Sequence, residues 1–182
     1  ELFPSGRRVR VRGVQTAGHS VEQAAAGQRT ALNLAGVELD DVRRGMVLAS
    51  PGRFQATKQF DARIQLLPSA HPLKNRAQVH FHQGTAETVG EVVLLEGAAI
   101  APGKSGFAQL RLREPVLVLA GDRFILRRFS PVTTIGGGVV IDSLAPRHRR
   151  RDGSVTSLLE TLETGSHADA LAALAEAEPR GL

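Results

Sequence analysis

Cysteine is absent from the 182 residues, which excludes disulfide staples, thiol nucleophiles and cysteine-ligated zinc or iron–sulfur centres. A reducing compartment, the cytoplasm, fits that composition. Tryptophan and tyrosine are also absent, and seven phenylalanines hold the aromatic share at 4%. The base-stacking surface that single-strand nucleic-acid binders use is therefore poorly supplied. Long apolar runs are missing: stretches such as Val116–Ala120 are far shorter than the ~20 residues a membrane-spanning helix needs. The N-terminus has no apolar core of a secretory signal. The only methionine is Met46 and the first residue is Glu1, so the chain reads as a piece of a longer protein.

Hydrophobic residues make up 42% and charged residues 23%, enough to bury a core. Lys and Arg outnumber Asp and Glu by 23 to 18, a formal charge of +5, which favours encounter with polyanions. Charge is unevenly placed. Arg147, Arg149, Arg150 and Arg151 form a basic run, and beyond it six acidic residues face only Arg180.

From Arg7 to about Ala145 short runs of alternating or β-branched residues are punctuated by glycine and proline, the pattern of a barrel or sandwich. In Arg8-Val9-Arg10-Val11-Arg12 the valines share one face and the arginines the other, because side chains alternate along a strand. The same period sets Phe60, Ala62, Ile64 and Leu66 against Gln59, Asp61, Arg63 and Gln65, and Leu110 and Leu112 against Arg111 and Arg113. Further strands are expected over 30–34, 78–82, 92–95, 123–128 and 139–142. The turn formers Ala49-Ser50-Pro51-Gly52 divide two β units. After Asp152 the period becomes helical, with Val155, Leu158, Leu159 and Leu162 on one face. Ser166 and Asp169 have capping-box spacing ahead of Leu171 and Leu174, and Pro179 and Gly181 end the pattern. The expected fold is mainly β: two consecutive small barrels, the first incomplete, then two short C-terminal helices. The expected divisions are 1–52, 53–146 and 147–182, the last a basic linker and the opening of a further helical domain.

Three constellations could carry chemistry. Gly103-Lys104-Ser105 resembles the end of a phosphate-binding loop, but Ala98 stands where that loop needs glycine, and the residues behind it read as a strand instead of a helix. A plain turn is the expected outcome. His80 and His82 share a strand face with Glu87 nearby, the makings of a cupin-like metalloenzyme site, although the further ligands of that pattern are missing. Solvated histidines are the simpler reading. The arginine-bearing strand faces suit RNA phosphates or a merely soluble surface. No nucleophile elbow or carboxylate pair is present, so no catalytic residue is nominated and the chain itself reads as a non-enzyme.

The runs Arg10-Val11-Arg12-Gly13-Val14-Gln15, Ala26-Gly27-Gln28-Arg29-Thr30-Ala31-Leu32-Asn33-Leu34-Ala35-Gly36 and Arg44-Gly45-Met46-Val47-Leu48 resemble the second domain of a translational GTPase. Gly-Gln-Arg followed by Ala-Leu-Asn-Leu-Ala-Gly is similar above all to the bacterial selenocysteine-specific elongation factors. Val79-His80-Phe81-His82-Gln83-Gly84, Pro102-Gly103, Ala108–Leu112, Asp122–Arg127 and Thr134–Gly138 resemble their third domain. The resemblance runs from about Arg7 to Asp142. It implies two β-barrels that grip selenocysteyl-tRNA and act with the ribosome. A preceding domain would bind GTP and magnesium, and following winged helices would bind a selenoprotein mRNA hairpin. The first strands of the second domain would lie upstream of Glu1. A monomer without membrane contact is expected.

In the family the arginine of the Gly-Gln-Arg motif lies beside the selenocysteine side chain, which here places Arg29, with Gln28 and Gly27, in the aminoacyl pocket. A selenol is largely anionic at neutral pH and serine is neutral, so a guanidinium in a partly dry pocket discriminates by charge. Two charges about 4 Å apart gain on the order of 4 kcal/mol near a protein surface before desolvation is subtracted. The resemblance also places the His82-Gln83-Gly84-Thr85 turn and the hairpin from Arg128 to Thr133 against the tRNA stems, through phosphate and ribose. Another translational GTPase and a general RNA-binding barrel are the alternatives beside the metalloenzyme.

Overall fold

The computed structural model describes residues 1–148 and 152–177. Arg149, Arg150 and Arg151 of the basic run, and the helix-ending Pro179 and Gly181, lie outside the described residues. The chain divides into two compact units, Glu1–Ala56 and Thr57–Leu182.

The first unit holds two small sheets. Strand β1 (Leu2–Phe3) pairs antiparallel with β5 (Val47–Leu48), and Leu2 and Phe3 are buried. Strands β2 (Arg10–Thr16), β3 (His19–Val21) and β4 (Thr30–Ala35) form a three-stranded sheet in the order β3-β2-β4. Among the described residues of this unit no sheet closes into a barrel. The alternation at 8–12 does not mark a core face: Val11 is 45% exposed. A period of two says that two faces differ, but no second layer covers the valine side of β2 in this unit.

The second unit is a closed antiparallel barrel. Its strands are β6 (Thr57–Leu66), β8 (Ala77–Gln83), β9 (Ala86–Leu94), β11 (Ser105–Val116), β12 (Arg123–Arg127) and β13 (Thr134–Asp142), in the order β11-β6-β13-β12-β8-β9. A side pair, β7 (Leu73–Lys74) with β10 (Ala99–Ile100), flanks it. Closure leaves no free edge on the six strands. Phe60, Ala62, Ile64 and Leu66 are fully buried inside with Phe81, Leu110 and Leu126, as the alternation predicts. Phe60, Phe81 and Phe124 form a cluster with ring centroids 5.3–6.0 Å apart. Gly103 is the turn before β11, whose first residue is Ser105. A strand therefore stands where a phosphate-binding loop needs a helix.

Helices α1 (Gly153–Thr164) and α2 (His167–Ala177) follow. Asp152 caps α1 by accepting from Ser154 N at 3.2 Å. Ser166 and Asp169 form the reciprocal capping box, Asp169 N donating to Ser166 Oγ at 3.2 Å and Ser166 N to Asp169 Oδ2 at 3.0 Å. The Ser166 hydroxyl, which donates to Asp169 Oδ2 at 2.7 Å, and then Ser166 N–H hold the Asp169 carboxyl below its ordinary pKa. The apolar stripe of α1 packs on the outside of the barrel, where Val155 and Leu159 join Leu95 and Phe107. Arg63 lies 3.9 Å over the Phe107 ring and donates from Nε and Nη2 to Glu163, a pairing that raises the guanidinium pKa.

The outward face of β6 is not uniformly wet. Asp61 is 1% exposed because residues 145–148, which follow β13, lie across it. Gln109 stands beside Asp61 in the β11–β6 register and Asp142 on its other side in the β13–β6 register. Gln109 Nε2 donates to Asp61 Oδ1 at 3.1 Å and to Pro146 O at 2.8 Å. Gln59 Nε2 donates to Ala145 O at 3.0 Å, and the His148 ring pairs with Asp61 Oδ2. Burial first, and the neighbouring Asp61 charge, push the Asp142 carboxyl above its ordinary pKa, against the pull of Leu144 N–H and His148. His148, in the stretch expected to be a linker, is thus tied to the barrel through Asp61, just after the two carbonyls of Ala145 and Pro146 that Gln59 and Gln109 hold.

Candidate nucleic-acid interface

In the first unit Gly27, Gln28 and Arg29 form the turn that leads into β4. Gly27 has φ +85°, a conformation that L side chains resist. Gln28 braces the turn: its Oε1 accepts from Ala25 N at 2.9 Å, and its carbonyl accepts from Thr30 Oγ1 at 3.2 Å. Arg29 is exposed. Among the described residues its guanidinium has no hydrogen-bond or ion-pair partner. The partly dry pocket expected around it does not exist within this unit, whose small sheets leave the turn in solvent. The braced backbone presents a free cation at a fixed place in the chain.

In the second unit the nominated residues fall at two places, the 82–85 turn after β8 and the 128–133 hairpin at the opposite end of the antiparallel β8–β12 pair. Gln83 closes β8 and pairs with Ala86 of β9 across Gly84 and Thr85, a two-residue hairpin turn with Gly84 at φ +55°. Strand β12 runs beside β8, setting Arg127 opposite His80 and Ile125 opposite His82. The hairpin after β12 is closed by Arg128 N donating to Thr133 O at 2.9 Å, and Thr133 Oγ1 donates to Pro131 O at 3.4 Å. Phe129 stacks on His80 with ring centroids 4.2 Å apart, tying the hairpin to β8.

A cleft of about 250 Å³ opens beside Arg128, lined also by His71, Lys74 and Gln78. The Nε atoms of Arg127 and Arg128 and Nε2 of His82 are buried without a hydrogen-bond partner among the described residues. The cleft itself, with the cations of Arg128 and Lys74, the His71 imidazole and the Gln78 amide, can take phosphate oxygens by charge-assisted hydrogen bonds. Motif reading finds Arg128 and misses His71, Lys74 and Gln78. Each is an ordinary polar residue in a turn or strand, and only the register of β7 and β8 against the 128–133 hairpin assembles them.

His80, His82 and Glu87 do approach one another, with His80 Nδ1 3.4 Å and His82 Nδ1 3.9 Å from the Glu87 carboxylate. Among the described residues, however, no group of three or more His, Cys, Asp or Glu side chains is arranged to hold a metal ion. His80 spends its ring face on Phe129, and Glu87 is 60% exposed directly across the hairpin from His82. The cupin-like reading finds no support: the trio is a cross-strand polar cluster on a barrel's outer surface.

Comparison with known proteins follows the same lines. The family model described as "Selenocysteine-specific elongation factor, beta-barrel domain" matches residues 59–147. The selenocysteine-specific elongation factor of Desulfomicrobium baculatum is 39% identical over 165 residues, covering 90% of this chain and 25% of that protein. The factor of the same name from Haemophilus influenzae is 30% identical over 176 residues, covering 96% of this chain and 28% of that protein. Elongation factor Tu 2 of Streptomyces avermitilis is 34% identical over 135 residues, 71% of this chain and 34% of that protein. A crystal structure of a bacterial selenocysteine-specific elongation factor superposes with a TM-score of 0.77 at 24% identity, covering 94% of this chain and 27% of that one. The chain spans about a quarter of the length of the selenocysteine-specific relatives it matches.

Proposed function

Residues 59–147 belong to the β-barrel domain of the selenocysteine-specific elongation factors, and on that premise we propose that the chain is the part of such a factor that grips selenocysteyl-tRNA. The observation that carries this reading is the basic cleft at Arg128, on a barrel of that family. The second unit holds the acceptor and T stems through phosphate and ribose, using the 82–85 turn, the 128–133 hairpin and the cleft residues His71, Lys74 and Gln78. The first unit offers Arg29 to the aminoacyl end. There the bound amino acid and acceptor strand themselves exclude water, so that the exposed guanidinium meets a selenolate in drier surroundings than the free chain gives it.

GTP hydrolysis belongs, in this proposal, to a part of the protein outside these residues. The chain's nearest approach to a phosphate-binding loop, at 103–105, opens a strand, so no nucleotide or magnesium is assigned to the described residues and no step is routed through them. The ribosome is the expected destination, and the mRNA hairpin is read by domains that continue from α1 and α2. The factor acts in the cytoplasm.

Titrating selenocysteyl-tRNA into the chain at rising salt tests the reading. Logarithmic affinity is expected to fall linearly with logarithmic salt, with a slope of several units, each phosphate contact contributing about 0.9 for duplex nucleic acid. Affinity that ignores salt, or no binding at low salt, would refute it. Equal affinity for every aminoacyl-tRNA would instead favour a general tRNA-carrying factor.

A further inference from the structure

Asp122 sits where three elements of the barrel meet. The turn joining β11 to β12 folds back at Gly121, whose φ is +88°. Gly121 N donates to Val140 O at 2.8 Å, and Val140 N donates to Asp122 O at 2.9 Å, which fastens the turn to β13. The side chain adds two further ties through a single atom. Asp122 Oδ2 accepts from Leu119 N at 2.9 Å within the turn and from Gln83 Nε2 at 3.1 Å at the end of β8. Gln83 is the last residue before the Gly84-Thr85 hairpin turn. One N–H of the amide of Gln83, a residue placed against RNA by resemblance, is committed to Asp122.

We propose that Asp122 is a positioning residue, fixing the 82–85 turn for RNA by holding Gln83 as a strut. This rests on the tRNA-gripping reading above and assigns Gln83 a different task from that of a direct contact. Electrostatics alone argues against a carboxylate on a face that meets a polyanion, because like charges within a Debye length of about 8 Å repel. Its contribution is geometric. A turn already held in its bound shape loses less conformational freedom when RNA binds than one that must be ordered at that moment. Both donors converge on one oxygen, so an asparagine amide oxygen in the same place keeps both bonds while the charge disappears.

The test measures selenocysteyl-tRNA affinity and its salt slope for the chain and for Asp122→Ala, Asp122→Asn, Gln83→Ala and the Asp122→Ala/Gln83→Ala pair. Gln83→Ala is expected to weaken binding by about fivefold, Asp122→Ala by at least as much because it also frees Leu119 N–H, and the pair by no more than Asp122→Ala alone, since the Gln83 tie is already cut there. Salt slopes stay at the wild-type value because no phosphate contact is removed. Asp122→Asn binds at least as tightly as wild type. Additive losses in the pair, a flattened slope in Gln83→Ala, or an Asp122→Asn as weak as Asp122→Ala would overturn the assignment. Should Asp122→Ala fail to fold, Gln83→Ala and Asp122→Asn still decide it. A wild-type chain that binds no tRNA defeats the underlying reading instead.

Discussion

A Gly138→Ala chain is expected to lose the barrel's cooperative melting transition, or to show it lowered by about 10 °C, the equivalent of about 3 kcal/mol. The alanine Cβ would lie 2.2 Å from the Arg63 carbonyl oxygen and 2.6 Å from the tip of the Phe124 ring. Neither neighbour can yield. Arg63 lies in β6, which is paired on both sides, to β11 and β13, and Phe124 is locked in the three-ring core. The glycine run at 136–138 therefore has a packing cause: at each of the three positions a Cβ would come within 2.4 Å of a neighbouring strand's carbonyl oxygen. Gly90→Ala supplies the contrast. There the closest atom is Leu112 Cδ2, at 2.9 Å, the end of a side chain that can rotate, and a cost of about 1 kcal/mol is expected. Thermal unfolding followed by far-ultraviolet circular dichroism separates the two. Equal melting temperatures for Gly138→Ala and wild type would show that β13 is less tightly held than its register implies.

His148→Ala is expected to cost about 3 kcal/mol. The imidazole is 10% exposed and its partner Asp61 is 1% exposed, so removing it leaves a buried carboxylate with Gln109 as its remaining side-chain donor and Asp142 nearby. Most of the loss is the penalty of the stranded charge, not the net worth of the pair. For that reason the joint change Asp61→Leu/His148→Leu, which removes both polar partners and fills the space with apolar volume, should recover most of the stability that His148→Ala loses. Calorimetry gives the two melting temperatures, and hydrogen exchange reports where the loss falls. Faster exchange is expected in α1, because the 145–148 segment that leads into it is pinned by Asp61, Gln59 and Gln109. Unchanged exchange in α1 would mean that the Leu159 and Phe107 cluster holds the helix without help from the segment.

The contrast between Asp61 and Phe60 marks how far the sequence can be read. Phe60, Ala62, Ile64 and Leu66 declare an inner face through period two alone, and Ser166 with Asp169 declare a helix start through spacing alone, because in both cases the cause lies within a few residues. Asp61 shares the alternating set of Gln59, Arg63 and Gln65, yet what covers it lies 87 positions away at His148. Periodicity tells that a face is polar and not whether another segment crosses it. Val11 fails in the opposite sense, with a regular alternation and no layer to cover its apolar side. The interface divides likewise. Arg128, His82, Gln83 and Thr85 come from contiguous motifs, whereas the cleft partners His71, Lys74 and Gln78, and the Asp122 tie to Gln83, depend on strand register across the closed barrel. Gly27, Gln28 and Arg29 are legible as a motif, while the exposure of Arg29 is not.

The measurement that bears most directly on the account is the affinity of an intact factor carrying these residues for selenocysteyl-tRNA and for seryl-tRNA, before and after Arg29→Ala. Arg29 is free and exposed in the structure, so its replacement leaves the fold unchanged and isolates the charge. The account predicts a large loss for the selenocysteyl form, up to the thousandfold that on the order of 4 kcal/mol would give before desolvation, with seryl-tRNA binding little changed. An equal loss for both, or none for either, would contradict the assignment of this chain to selenocysteine recognition through Arg29.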